Sequence, residues 1–285
     1  MPAFPRTTVG GLSLSRMIIG TNWFLGFSHC TPSRDALTKS MGTRKHVADI
    51  IEVFLKYDID TIMGLVEFPP MSEAIQEAQD RTGKKLIVVA TPGIPSGPDT
   101  PTKGFDLKKV EEILDRQVKN NVSICMPHTS VTDNMVDRCT RQVRQMEPVL
   151  KMIRERGMIP GFSTHMPETI IYSDESKLDV ECYISIYNAM GFLMQVEVDW
   201  IANVIRNAKK PVMTIKPMAS GQIRPFQAFH FVWNSIRDCD MVTVGTLTPR
   251  EAEEDIELSL SILERRTADL KLQETRSKQS ITPKA

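Results

Sequence analysis

Short apolar runs recur along the chain, and the segments between them carry helical patterns. The runs are continuous rather than alternating, which suits strands that are buried on both faces of a parallel sheet. They predict eight strands, at residues 17–22, 59–63, 86–91, 122–127, 159–163, 180–186, 212–216 and 241–245. Residues 7–14 come before these strands and predict a small β-hairpin. Gly10 and Gly11 supply the positive φ values that a two-residue turn requires.

The segments between the strands predict amphipathic helices. In residues 47–55 the apolar positions follow the i, i+3, i+4, i+7, i+8 spacing of one helical face, and 110–114, 149–153 and 252–263 continue the pattern. The last helix opens with Thr248, Pro249 and Glu251, a capping box with proline at the first helical position. Each strand is therefore followed by a helix.

Eight strands alternating with helices predict an α/β protein with a (β/α)8 TIM barrel and an N-terminal β-hairpin. An open doubly wound sheet is the alternative fold. A glycine-rich turn usually follows the first strand of that fold, and residues 20–24 do not form one. We expect one barrel domain over residues 1–285, with the hairpin at 7–14. The polar segment 267–285 is expected to be a flexible tail.

Composition narrows the range of partners. Lys plus Arg and Asp plus Glu both number 35, so the net charge near zero gives no long-range attraction to nucleic acid or to an anionic membrane. Five cysteines without a CxxC pair indicate neither a zinc ribbon nor a disulfide framework. No secretory h-region or membrane-length apolar run is visible, so we expect a cytoplasmic protein with a small-molecule substrate. Its oligomeric state is not indicated.

Polar side chains at the carboxyl ends of the predicted strands are the candidates for chemistry, because barrel enzymes build their active sites there. The predicted mouth contains Asn22, Glu67, Thr91, His128, Ser163, His165, Asn188, Lys216 and Thr246. Two long connections, 22–42 and 91–104, leave the same ends. Two interpretations are open for these connections. In the first they form a lid or binding loops, and in the second their aromatic side chains only pack onto the barrel.

Several short motifs, in order and at suitable spacing, resemble the aldo-keto reductases. Residues 11–21 (GLSLSRMIIGT) are similar to the opening hairpin and first strand of that family, and 72–73 (SE) to the start of its second barrel helix. Residues 161–164 (GFST), 187–188 (YN) and 216–221 (KPMASG) are similar to its motifs at strands five, six and seven. The resemblance spans residues 7 to about 265. It implies the same barrel and a carbonyl, sugar or polyol-type substrate.

The resemblance carries only part of the family's catalytic set over to this chain. His128 matches the histidine that polarises the substrate carbonyl, whereas the aspartate position falls on Met63 and the lysine position on Thr91. The stretch 64–70 should carry the tyrosine and contains Glu67 as its one ionisable group. The resemblance therefore implies His128 as a catalytic residue, with Glu67 as the replacement proton carrier.

The family's cofactor is NADP(H), and the resemblance implies contacts from several scattered positions. Ser163 matches the residue that holds the nicotinamide amide, while the residue that stacks on nicotinamide falls on Ile215. The implied cofactor-binding residues are Ser163, Thr164, Asn188, Ser220, Thr246 and Arg250. Asn188 has a second interpretation, in which it only fixes the turn after strand six.

Three functional hypotheses remain open at the level of sequence. The first is an aldo-keto-reductase-like oxidoreductase with a non-standard site. The second is a lyase, isomerase or hydrolase on the same barrel, using Lys216 as a Schiff-base lysine. In another version of this second hypothesis, a divalent metal ion bound by Glu67, His128 and His165 takes the place of the lysine. The third is a binding barrel without catalysis.

Overall fold

The computed structural model describes residues 3–273 and 275–281, which form strands and helices in alternation. The strands are β1 (Arg6–Val9), β2 (Leu12–Ser15), β3 (Met17–Gly20), β4 (Thr61–Gly64), β5 (Ile87–Ala90), β6 (Val122–Cys125), β7 (Val136–Asp137), β8 (Gln142–Val143), β9 (Ile159–Pro160), β10 (Phe162–Ser163), β11 (Tyr183–Ile186), β12 (Val212–Ile215) and β13 (Met241–Val244). The helices are α1 (Pro32–Met41), α2 (Arg44–Lys56), α3 (Met71–Thr82), α4 (Thr100–Lys103), α5 (Leu107–Lys119), α6 (Thr129–Thr132), α7 (Met146–Glu155), α8 (Pro167–Ser176), α9 (Val198–Asn207), α10 (Pro225–Ser235) and α11 (Pro249–Leu263).

The parallel strands close into a barrel, which confirms the predicted (β/α)8 fold. They lie in the order β10-β11-β12-β13-β3-β4-β5-β6-β9. β9 and β10 are the two halves of the predicted fifth strand, the first paired with β6 and the second with β11. Gly161 separates the halves, and a Cβ at this position would lie 2.6 Å from the carbonyl oxygen of Cys182. The close approach of these backbones therefore requires a glycine.

Two layers of apolar side chains hold the barrel together. Inside it, Ile18, Val89, Ile124 and other residues of alternate strand positions form one buried cluster. A larger cluster fills the space between the strands and the surrounding helices. Both faces of each strand are thus buried, which explains the continuous apolar runs in the sequence.

The N-terminal hairpin is present as predicted and closes the lower end of the barrel. Gly10 and Gly11 have φ values of 55° and 85°, as a two-residue turn between antiparallel strands requires. Val9 and Leu14 are almost fully buried and belong to the apolar cluster inside the barrel. The hairpin is therefore part of the core.

Some local elements were not predicted from the sequence. Helix α1 lies within the connection 22–42 and begins at Thr31, whose hydroxyl accepts a hydrogen bond from the backbone N–H of Arg34 at 3.2 Å. Thr38 is its one fully buried position, so the helix shows no apolar stripe. The short antiparallel pair β7–β8 also lies outside the barrel, between α6 and α7.

The C-terminal helix α11 begins with the predicted cap. The Thr248 hydroxyl accepts from the backbone N–H of Glu251 at 3.1 Å, and Pro249 occupies the first turn. After the helix, Arg266 forms an ion pair with Glu257. The expectation of a flexible tail falls partly on residues 274 and 282–285, which lie outside the described residues. Within the described part of the chain, no helix is long and apolar enough to cross a membrane.

Candidate active site

A cleft of about 530 Å³ lies at the carboxyl ends of the barrel strands. It runs from the barrel axis outward to the first turns of α11 and is bordered by the loops that follow β3 and β12. The predicted mouth residues that line it are Asn22, Thr91, His128, Ser163, His165 and Lys216. The barrel therefore brings together side chains from five different strand ends, as an active site on this fold requires.

Lys216 directly follows strand β12 and lies in the cleft without an ionic partner among the described residues. Its backbone has a φ of 60°, a left-handed conformation that is strained for a residue with a side chain. Among the described residues, no carboxylate or hydrogen-bond acceptor contacts its ammonium group. Burial disfavours the charged form and lowers the pKa of Lys216 to about 8. A substantial fraction of this amine is therefore nucleophilic near neutral pH.

His128 follows β6 and is held in one tautomer. Its Nδ1 accepts a hydrogen bond from the backbone N–H of Ser130 at 3.2 Å and lies 2.8 Å from the Ser130 hydroxyl, an arrangement that favours a neutral ring with its proton on Nε2. Burial lowers the pKa of His128, although the nearby Asp133 raises it. His128 is thus a neutral imidazole whose Nε2–H can donate a hydrogen bond to a carbonyl oxygen.

His165 follows β10 and lines the same cleft. Burial and the positive charge of Lys216 lower the pKa of His165 to about 4, with smaller contributions from His128 and His29. Its backbone N–H donates to Asp133, while no hydrogen bond of its ring is found in the described structure. The ring is therefore neutral and can accept a proton at the mouth.

The loop after β3 crosses over the cleft and is attached to the loop after β12. The Ser220 hydroxyl donates to the carbonyl oxygen of Ser28 at 2.7 Å, and the Cys30 thiol donates to the carbonyl oxygen of Ser220 at 3.3 Å. This loop also places Trp23 against Gly245, where a Cβ would lie 3.0 Å from the indole ring. The long first connection thus covers part of the cleft, as one of its two interpretations predicted.

The same loop brings His29 into the cleft, a position that was not predicted for it. Its φ is 59°, and burial together with Lys216 lowers its pKa, against smaller raising effects of the Phe27 carbonyl and Asp35. Three imidazoles therefore surround one lysine. Nothing in the local pattern of residues 22–42 indicates that the loop folds back over the mouth.

Glu67 does not line the cleft, and this corrects the expectation that it replaces the missing proton carrier. Its carboxylate accepts a hydrogen bond from the side chain of Gln117, a buried residue of α5, at 3.0 Å. After β4 the chain turns at residues 65–68 and directs Glu67 outward, toward the layer between the strands and the helices. Proximity to a strand end did not determine the direction of this side chain.

Most of the residues implied for cofactor binding also lie away from the cleft. Asn188 is buried and fixes its own turn, since its side chain bonds the backbone of Met190 and Phe192. Thr164 is buried and donates to Asp133, and Thr246 is buried behind the cleft surface. Arg250 points to Glu254 at 3.1 Å. Of the six residues, Ser163 and Ser220 line the cleft.

The outer end of the cleft is acidic, which the sequence reasoning missed. Glu251, Glu254 and Asp255 of α11 all line it. The signal was present, because positions i, i+3 and i+4 lie on one face of a helix. The capping box accounts for Glu251 alone, and no role was predicted for the other two carboxyls.

The geometry does not assemble the metal site that the sequence left open. Within residues 3–273 and 275–281, no group of three or more His, Cys, Asp or Glu side chains is arranged to hold a metal ion. Glu67, expected to join His128 and His165 as a ligand, is bonded to Gln117 instead. The mouth thus presents imidazoles and an amine, and the nearby carboxylate of Asp133 accepts from the backbone N–H of His165.

Comparison with known proteins identifies the fold. No protein-family model matches the chain, and no curated protein matches it by sequence. A Pseudomonas aeruginosa protein described as an aldo-keto reductase is 16% identical with a TM-score of 0.64, covering 90% of this chain and 95% of that one. An aldo/keto reductase from Brucella melitensis is 10% identical with a TM-score of 0.58, covering 96% and 95%. Aldose reductase from Giardia lamblia is 11% identical with a TM-score of 0.54, covering 97% and 91%. At these identities the likeness establishes the barrel fold that the sequence motifs indicated.

Proposed function

We propose that this chain, which has the barrel fold of the aldo-keto reductases, is a lysine-dependent enzyme that acts on a small carbonyl compound. Lys216 forms a Schiff base with the substrate, and the reaction is a proton transfer or bond cleavage next to the carbonyl carbon. The observation that supports this most directly is the unpaired amine of Lys216 in the cleft, with a pKa of about 8. An amine that is ion-paired or fully hydrated is a much weaker nucleophile at neutral pH.

The surrounding side chains fit the steps of imine formation. The free amine of Lys216 attacks the carbonyl carbon while the Nε2–H of His128 donates a hydrogen bond to the carbonyl oxygen. The attack gives a carbinolamine. One proton moves from its nitrogen to its oxygen and a second is taken up from solvent, so the oxygen leaves as water and the product is an iminium joined to Nζ. The positive iminium withdraws electrons from the neighbouring carbon, so the neutral ring of His165 can accept a proton there.

The residues of the cleft do not fit NADP(H), the cofactor that the sequence resemblance implied. Four of the six expected contacts, Thr164, Asn188, Thr246 and Arg250, are absent from its lining. A phosphate on the adenosine would approach the carboxyls at the start of α11 instead of a cation. We therefore assign no hydride-transfer step to this site.

Reductive trapping tests the proposed function. The purified protein is incubated with acetaldehyde, acetone or dihydroxyacetone and treated with sodium cyanoborohydride, and the adduct is located by peptide mass spectrometry. We expect one dominant adduct, on Lys216, and its loss in Lys216→Arg, because arginine cannot form an imine. The exposed Lys151 reports the background reactivity of a surface amine.

Two outcomes would lead away from this function. Equal labelling of Lys216 and Lys151 would show that the cleft does not activate its lysine. Labelling of neither residue, together with saturable binding of the same carbonyl compounds, would favour the binding barrel. A screen for turnover with His128→Ala then separates catalysis from binding, since this variant should form the imine slowly while keeping its fold.

A further inference from the structure

Asp255 is a buried carboxyl that faces the cleft without a partner. Its exposed fraction is 3%, and it lies in the lining of the cleft on the second turn of α11. No hydrogen bond or ion pair of its side chain occurs within the described residues. Burial, with the nearby carboxylates Glu251 and Glu254, raises the pKa of Asp255 well above its ordinary value. Such an arrangement is costly for a folded chain unless something binds there.

The architecture of the helix does not account for this carboxyl. Glu251 supports the helix start, because it accepts from the backbone N–H of Leu247 at 2.7 Å. Glu254 accepts from Arg250 at 3.1 Å. Asp255 lies beyond the first turn of the helix. The free backbone N–H groups and the strongest effect of the helix dipole are confined to that first turn. It neither caps the helix nor holds a side chain.

Arg250 pairs with Glu254, but the cations that line the cleft leave the rest of its acidic end uncompensated. Arg34, Lys216 and Arg224 line the cleft as well. In the described structure none of them forms an ion pair with Glu251, Glu254 or Asp255, whereas Arg34 stacks over the ring of Trp23 at 5.6 Å. A positive group that enters between the three carboxyls would therefore be attracted by their negative potential. Its direct contact would be the buried carboxyl of Asp255.

We propose that the α11 end of the cleft is a binding site for an organic ammonium group, with Asp255 as its buried acceptor. Binding of the cation supplies a counter-charge that favours the ionised form of Asp255, and the remaining oxygens of Glu251 and Glu254 complete the site. A ligand with a neutral hydroxyl in place of the ammonium group gains much less binding free energy, since it brings no positive charge to the carboxyls.

This site also defines a substrate class, a step that rests on the proposed role of Lys216. The carbonyl end of the substrate reacts at Lys216 while its amino end is held at Asp255. The preferred substrate is then an amino-substituted carbonyl compound that fits a cleft of about 530 Å³.

Binding of a matched pair of ligands tests the ammonium site by itself. The dissociation constants of n-pentylammonium and 1-pentanol are measured by calorimetry on the full chain, and ligand-observed NMR verifies contact. We expect n-pentylammonium to bind more tightly than 1-pentanol, and Asp255→Asn to weaken the ammonium alone by roughly tenfold. Glu253→Gln is the matched control, because it removes the same charge from an exposed position of α11 outside the cleft lining.

Three results would overturn the ammonium site. They are equal binding of the two ligands, unchanged ammonium binding in Asp255→Asn, and an equal loss in Glu253→Gln. If Asp255→Asn does not fold, Glu254→Gln takes its place, and an unchanged affinity for the ammonium in that variant has the same meaning.

A second pair of ligands separates this proposal from the proposed function. Reductive trapping is repeated with para-(aminomethyl)acetophenone and its hydroxymethyl analogue. A preference for the amino compound that disappears in Asp255→Asn supports the substrate class. Ammonium binding without an adduct on Lys216 would overturn the lysine chemistry and leave the ammonium site standing. Adducts without an amino preference would overturn the substrate class alone.

Discussion

Replacing Lys216 with methionine should stabilise the protein at neutral pH. The pKa of Lys216 falls from 10.5 to about 8 on folding, because burial disfavours its charge. A shift of about 2.5 units corresponds to a ceiling of about 3 kcal/mol. Part of the side chain is still exposed, so we expect a gain of about 2 kcal/mol after allowing for solvent screening. Methionine is unbranched like lysine, one atom shorter, and meets the same strained backbone, so most of this difference comes from the charge.

The pH dependence of the gain identifies its cause. Between pH 8 and pH 10.5 the unfolded chain binds more protons at this lysine than the folded chain, so the stability of the wild type rises with pH in this window. Below pH 8 the full penalty is present, and above pH 10.5 it is absent. The advantage of Lys216→Met should therefore be largest at pH 7 and disappear by about pH 10.5.

Urea unfolding of the wild type and the variant at several pH values measures this difference. Lys151→Met serves as the control, because the Lys151 side chain is 76% exposed and the substitution should change stability by less than about 0.5 kcal/mol. The reasoning is refuted if Lys216→Met is less stable than the wild type at pH 7. It is equally refuted if the gain persists unchanged at high pH.

Three further predictions concern the mouth and the elements that support it. The rate of reductive methylation at Lys216, measured by peptide mass spectrometry, should rise with pH and show an inflection near pH 8. An inflection above pH 10 would contradict the desolvation of this amine. Gly245→Ala should displace the ring of Trp23, which lies 3.0 Å from the new Cβ, and lower the free energy of unfolding by about 1–3 kcal/mol. Tryptophan fluorescence should shift, and an unchanged spectrum would argue against that contact. Thr248→Ala should lower the free energy of unfolding by about 1 kcal/mol, while Thr248→Ser retains the cap; equal losses in both variants would show that the hydroxyl contributes nothing.

The sequence predicted the barrel well because burial on both faces leaves a strong local signal. Each of the eight apolar runs contains a strand, and the ends differ by one or two residues in most cases, as at residues 122–127 against Val122–Cys125. The break at Gly161 was not predicted. It depends on how closely the backbone of Cys182 approaches, which is a tertiary contact without a local pattern.

The site was predicted only in part, since side-chain direction in loops is not encoded by periodicity. Ser163 ends a strand and Lys216 directly follows one, so their place at the mouth follows from the barrel itself, and His128 also reaches the mouth, from three residues beyond β6. Glu67 lies three residues beyond a strand, and one turn of the chain directed it toward Gln117 instead. His29 reaches the cleft through contacts between distant loops, such as the bond from Ser220 to Ser28, which no local pattern reveals.

The buried hairpin has a consequence for the kinetics of any reaction in the cleft. Val9 and Leu14 fill the lower end of the barrel and pack with the apolar side chains inside it, while the cleft opens at the carboxyl ends of the strands. Substrate and product must then use the same opening at the mouth. A product that is slow to depart therefore competes with the next substrate molecule for one site, so product inhibition of this protein should be competitive.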